Sequence, residues 1–261
     1  MNKVALFFII LPISIKPFTL YEDAPVLDNF GYNDFNIQTN GELNIITQFI
    51  ENNNVVFDVG ASTGEWSKNV LGFKKIMLYG FEPIPKSFEM LKENIKNYPV
   101  NIFNIAFSNK NGKRTIAYYN QSLGFAELSS FYQRQEVERS CNIQPVFLEV
   151  TTYDLDTFCR EYNIDAIDFL KIDTEGSELD ILYGSKQMLY NHKIHYIQFE
   201  YGGTYFDAKT TLKEVFDLLV VAGYTLYRIV PQGLVKIKKW RSELENYTYS
   251  NYFASYDNVK Y

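Results

Sequence analysis

Cysteine is nearly absent from this chain of 261 residues. Only Cys141 and Cys159 occur, far apart, so neither a zinc spacing nor a disulfide framework can be built from them. Histidine is as scarce: His192 and His195 stand just before an apolar strand, on the end away from the strand tips where ligands bind, which suits packed or solvated rings better than a catalytic base. Basic charge is short as well. The 25 Lys and Arg face 31 Asp and Glu, a net charge of −6, which gives no long-range pull on a phosphate backbone, so nucleic acid is not expected as a partner. A membrane-length apolar run is missing too. Val4 to Ile15, after Lys3, is broken by Pro12, is too short for an ordinary transmembrane helix and lacks a small-residue cleavage site. It reads either as an arm packed on the domain or on a second subunit, or as a membrane-attached or signal-like segment. The expected location is therefore the cytoplasm, with membrane association through this segment left open. No internal repeat and no linker divides the chain, while 46% hydrophobic and 17% aromatic residues exclude disorder. One domain is expected: an apolar lead-in over 1–40, a catalytic domain over 41–240 and a Tyr-rich tail over 241–261.

Within that domain, Val55 to Gly64 is the most informative stretch. A β-branched run leads into Asp58, then a turn with Gly60 and Gly64, then a helix from Glu65. This is the opening strand-turn-helix of a doubly wound α/β fold, in which ligands bind beyond the carboxyl ends of the strands. Ser62 stands where a dinucleotide fingerprint has its second glycine, so a different nucleoside ligand is expected. A second apolar run ends at Glu82, where a carboxylate can accept both hydroxyls of a ribose. An Asp-x-Gly turn followed by a strand ending in an acid points to S-adenosylmethionine. The cofactor set is Asp58, Gly60, Ala61, Ser62, Gly64, Glu82, Pro83, Asn104 and Ala106, with Phe81 and Ile84 either flanking the base or simply packing. Asp58 has the alternative of bracing the turn alone.

Further on, Gly41 to Asn53 carries Leu43, Ile46 and Ile50 at helical spacing, and Pro85 opens a helix with Phe88, Leu91 and Ile95 on its buried face. Val100 to Ala106 reads as a third strand, and Asn111-Gly112 as a hairpin return into the next. Gln121 to Gln144 lacks periodicity and reads as a loop over the site, where Phe125, Phe131 and Tyr132 could stack a sugar. IDFLKID and IHYIQFE are buried strands, and YTLYRIV with LVKIKKW a closing antiparallel hairpin; the Tyr-rich tail is expected on the sheet edge. At the end of IDFLKID, Lys171 and Asp173 point the same way, Glu175 and Glu178 follow, and Glu200 ends the neighbouring strand. Lys171, Asp173, Glu175 and Glu200 are the catalytic candidates. Crowded carboxylates raise one another's pKa, as a base needs, or hold a divalent metal; helix capping is the structural alternative.

The succession VFDVGASTGEWS, FEPIPKSFEMLKEN, FNIAFSNKNG, TTYDLDTF, IDFLKIDTEGSELDIL and IHYIQFE resembles the FkbM family of S-adenosylmethionine-dependent methyltransferases over roughly Asn54 to Val230. The resemblance implies a Rossmann-like class I fold, a seven-stranded, mostly parallel sheet with a C-terminal antiparallel hairpin and helices on both faces. It also implies methyl transfer to an oxygen of a sugar, glycan or glycolipid. Open alternatives are another small molecule, a lipid or protein side chain as acceptor, or a module that binds cofactor or partner without turnover. Ser62 departs from the family's more usual Asn.

Overall fold

The computed structural model describes residues 18–21, 35–119, 128–257 and 259. Its centre is the strand β2, Val55–Val59, flanked by β3, Met77–Phe81, and β8, Ile167–Ile172. Both faces of β2 are covered. Phe57 and Val59 pack into one apolar cluster and Val56 into the other, which is why the run reads as continuously apolar. Outward from β3 lies β4, Asn101–Phe103, and outward from β8 lies β9, Ile194–Tyr201; these five strands are mutually parallel.

Beyond β9 the direction reverses. β12, Ser250–Ser255, is antiparallel both to β9 and to β10, Thr225–Val230. β10 turns back into β11, Gly233–Lys236, the expected closing hairpin, and β1, Thr19–Tyr21, lies parallel to β11 on the edge. The order is β1-β11-β10-β12-β9-β8-β2-β3-β4, nine strands where seven were expected. The fold is the Rossmann-like α/β architecture anticipated. Two details differ. The tail is not on the edge: all six residues of β12 are buried inside the sheet, with Tyr252 and Ala254 facing one cluster and Phe253 the other. The period-two pattern of SNYFAS is the signal for this, hidden by the tyrosines around it. The anticipated third strand also splits. After β4 the chain leaves the sheet at Asn104, and β5, Ala106–Phe107, joins a second sheet in the order β5-β7-β6, with β6 at Gly112–Tyr118 and β7 at Val146–Tyr153. The Asn111-Gly112 turn thus returns β6 onto β7 rather than β5, held by Asn111 Oδ1 accepting from the Asp154 amide at 2.7 Å.

The helices follow their start signals: α1 at Glu42–Phe49, α2 at Glu65–Phe73, and α3 at Pro85–Asn94 with its proline in the first turn. α4 is Gln135–Cys141, within the segment expected to be irregular. Asp154 caps α5, Leu155–Glu161, accepting from the Thr157 amide at 2.7 Å. The turns marked by Leu179, Leu182 and Leu189 form α6, Glu178–Tyr183, and α7, Lys186–Tyr190, separated at Gly184. α8 is Thr204–Ala208, and α9, Leu212–Val221, starts with a capping box of Thr211 and Glu214. Membrane association through the N-terminus is corrected here: no helix among the described residues is long and apolar enough to cross a membrane, and the run 4–15 lies outside them.

Candidate functional site

The strand ends of β2, β3, β8 and β9 surround a cavity of about 300 Å³. Its floor is the turn after β2. Gly60 and Ala61 both donate to the Phe81 carbonyl at 3.0 Å, and Gly60 has φ +81° with Asp173's carbonyl so close that a Cβ would lie 1.7 Å from it. Only glycine satisfies both conditions. Ser62 also takes a positive φ, +47°. Gly64 ends the turn in a left-handed conformation, packs against Leu91 and starts α2.

Glu82 follows β3 and is 5% exposed. Its two oxygens accept from the Ser62 amide at 2.9 Å and the Ile84 amide at 2.8 Å. Burial pushes its pKa up to about 7, against the pull of those two amides, and the charges of Asp58 and Asp173 add to the rise. A carboxylate has about four lone-pair positions, so two remain for hydroxyls of a ligand. Asn104 bonds the carbonyls of Glu82 at 2.8 Å and Pro83 at 3.0 Å, bracing the loop from behind rather than lining the cavity. Ala106 and Ile84 form its apolar end with Ile116.

Asp58 is wholly buried beneath the turn. Its Oδ2 accepts from Ser67 Oγ at 2.6 Å, while Oδ1 lies 3.6 Å from Lys171 Nζ without a hydrogen bond. The contact follows from register, because Asp58 and Lys171 are cross-strand partners and Gln198 is the partner of Lys171 in the next strand. Lys171 Nζ bonds Asp173 Oδ2 at 3.0 Å. Burial opposes its charge, but Asp173, Asp58 and Glu42 together raise its pKa above that of an ordinary lysine. Glu42, at the start of α1, is a cavity residue the sequence reading missed. It accepts from Asn40 at 2.6 Å, Gln198 at 2.5 Å and Asn251 at 3.3 Å, and burial raises its pKa. An acid in the first turn of a helix gave no sign of it, since that position usually serves the helix dipole. Trp66 also lines the cavity, 6% exposed, with Nε1 lacking a partner.

Asp173, Glu175 and Glu200 converge at the end of β8 and β9, with ligand oxygens within 4.8 Å of one another. Burial, then repulsion from Asp173, Glu175 and Glu178, lifts the Glu200 pKa well above that of an ordinary carboxyl, with Lys171 opposing. Glu175 sits at φ +56°, its carbonyl accepting from Ser130 Oγ at 2.6 Å and its side chain from Arg134 at 3.1 Å. Glu178 turns away to close the loop, accepting from the Thr174 amide at 2.9 Å and the Gly176 amide at 3.0 Å.

Of the aromatics expected to stack a sugar, Phe131 lines the cavity and Tyr132 does not. Phe131 packs with Ile84, Ala106 and Ile116 and carries the Arg114 guanidinium 4.1 Å from its ring centre. Tyr132 bonds Asp180, and Phe125 lies outside the described residues. The histidines are packed away from the cavity, His192 against Tyr256 and His195 beside Asp168.

The Methyltransferase FkbM domain model matches residues 58–250. The 2-O-methyltransferase NoeI of Sinorhizobium fredii (strain NBRC 101917 / NGR234) is 24% identical over 190 residues, 69% of this chain and 76% of that protein. Among solved structures, a methyltransferase FkbM from Methylobacillus flagellatus KT superposes with a TM-score of 0.50 at 15% identity, covering 78% of this chain; the match spans only 44% of that protein. A strand-end cavity floored by a glycine turn, together with a family match over most of the chain, makes this protein a member of the FkbM family of S-adenosylmethionine-dependent methyltransferases.

Proposed function

We propose that the protein methylates a hydroxyl of a sugar, glycan or glycolipid. The observation that carries the acceptor chemistry is the convergence of Asp173, Glu175 and Glu200 at the end of β8 and β9, where burial and neighbouring carboxylates push the Glu200 pKa up. The methyl donor brings an already activated sulfonium carbon, so the protein has to align the nucleophile and remove its proton. S-adenosylmethionine suits the donor set. Glu82 has lone pairs left for the ribose hydroxyls, and Lys171 and the unpartnered Trp66 Nε1 can meet the carboxylate of the amino-acid tail. Glu42 lines the cavity and offers an acceptor for its ammonium, while Asp58, buried beneath the turn, acts only through Lys171 and Ser67. On this reading Glu200 takes the proton of the acceptor hydroxyl, and Asp173, fixed by Lys171, orients that hydroxyl.

A second reading rests on the same cluster. Asp173, Glu175 and Glu200 would together hold a divalent cation, which would orient acceptor oxygens and lower the pKa of the hydroxyl. Chelation separates the two: with a bare carboxylate base, turnover survives chelator; with a metal, it stops and magnesium or manganese restores it. Transfer of labelled methyl from S-adenosylmethionine to a carbohydrate or glycolipid fraction tests the acceptor class. Label confined to protein or RNA would overturn it.

A further inference from the structure

The cavity has two ends, and among the described residues only one has an open aromatic face. Glu82, Ala106 and Ile84 lie at the β3 end, where Phe131 is already covered by Arg114 and its apolar neighbours. At the other end, Glu200 on β9 pairs with Asn251 of β12, and Tyr249 stands just before that strand. Phe35 meets Tyr249 there, ring centres 4.4 Å apart and planes tilted by 45°, and both line the cavity. Phe35 is 84% exposed, so its outer face is available.

Building on the O-methylation reading, we propose that Phe35 and Tyr249 form the acceptor platform, on which the C–H face of a neutral pyranose lies with its hydroxyl edge toward Asp173 and Glu200. A flat ring offers an apolar face of matching size, and carboxylates accept hydroxyl protons at its rim. The excess of carboxylates over Lys171 and Arg134 at this end disfavours an acceptor bearing phosphate or carboxylate nearby. Neither aromatic belongs to the motifs of the resemblance, and Phe35 precedes the segment matched by the family model.

The test uses the full chain, saturated with S-adenosylhomocysteine and titrated with fluorescent glycosides of neutral mono- and disaccharides. At least one glycoside should bind, with Phe35→Ala and Tyr249→Ala each weakening it tenfold or more. Phe35→Trp and Tyr249→Phe should keep it, and S-adenosylhomocysteine affinity should stay within twofold throughout. Because Phe35 is exposed, its substitution does not threaten folding. Equal glycoside affinity for wild type and Phe35→Ala overturns the proposal, as does a wild type that binds S-adenosylhomocysteine but no neutral glycoside. No binding of S-adenosylhomocysteine would instead remove the donor site, and the platform with it.

Discussion

The two ends of the cavity place their acids by different means. Glu82 is held by backbone: the amides of Ser62 and Ile84 meet its oxygens, and the glycine turn that supplies one of them is locked against Phe81 and Asp173. Asp173 and Glu175 are held by side chains, through Lys171 and Arg134, and Glu200 lies beside them with only partial charge balance. Backbone placement survives most side-chain changes but fails if the turn fails. Side-chain placement leaves the fold standing and gives way one residue at a time. The donor end should therefore break through folding, and the acceptor end through chemistry.

The largest effect is expected at Gly60. Gly60→Ala would place a Cβ 1.7 Å from the Asp173 carbonyl at a φ of +81°, a backbone clash that no rotamer relieves. A loss of at least about 4 kcal/mol is expected, most of the stability of a marginal domain. Denaturant unfolding or the soluble yield measures it; a variant of wild-type stability would mean the turn is looser than described. Next come the acids at the other end. Asp173→Asn and Glu200→Gln should lower turnover by about 10²–10⁴ with near-normal S-adenosylhomocysteine affinity, read from single-turnover kinetics and calorimetry. Full activity in both variants would leave alignment as the whole of catalysis.

If Glu82 accepts the ribose hydroxyls as proposed, Glu82→Ala should weaken S-adenosylhomocysteine binding by about 1.5–3 kcal/mol, an order of magnitude or more. The same residue has a signature without ligand. Its pKa rises from 4.5 to about 7 on folding, chiefly through burial. Below 4.5 it is protonated in both states. Between 4.5 and 7 the unfolded chain loses the proton and the folded one keeps it, so this group's contribution to stability falls as pH rises through that window and levels off above it. The ligand-free Tm of the wild type should thus drop relative to that of Glu82→Gln between pH 4.5 and 7. Parallel pH profiles would show that Glu82 is ionised throughout.

This difference in construction explains what could be read from the sequence. Asp58, Gly60, Ser62, Gly64 and Glu82 fall within 25 residues, and the turn among them has its geometry written in its glycines, so this turn and its neighbouring acid were legible. Lys171 and Asp173 were legible by strand alternation. Glu42, Arg134, Ser130 and Tyr249 reach the site only through tertiary packing, from a helix start, a segment without periodicity and a tyrosine-rich tail, and no local pattern distinguishes them from surface residues. The place of β12 was missed for a related reason. A strand inserted between β9 and β10 has partners distant in sequence, and composition had suggested an edge.

Arg134 gives the smallest and sharpest test of the side-chain-held end. Its guanidinium bonds Glu175 at 3.1 Å and lies 3.9 Å from Asp207, with both members of the Glu175 pair more than four-fifths buried. Ser130 of the same segment completes the grip, its Oγ donating to the Glu175 carbonyl, and the Arg134 amide is itself anchored by donating to Tyr119 Oη at 3.2 Å. Arg134 touches no reacting atom, so it is a positioning residue. Arg134→Lys keeps the charge but loses the planar fork, and should cost about 1 kcal/mol, roughly fivefold in turnover. Arg134→Met also takes a positive charge from beside the carboxylates, making their protons harder to remove, so the acid limb of its pH–rate profile should move to higher pH while that of the lysine variant stays put. A merely structural arginine would lower both variants alike and move neither limb.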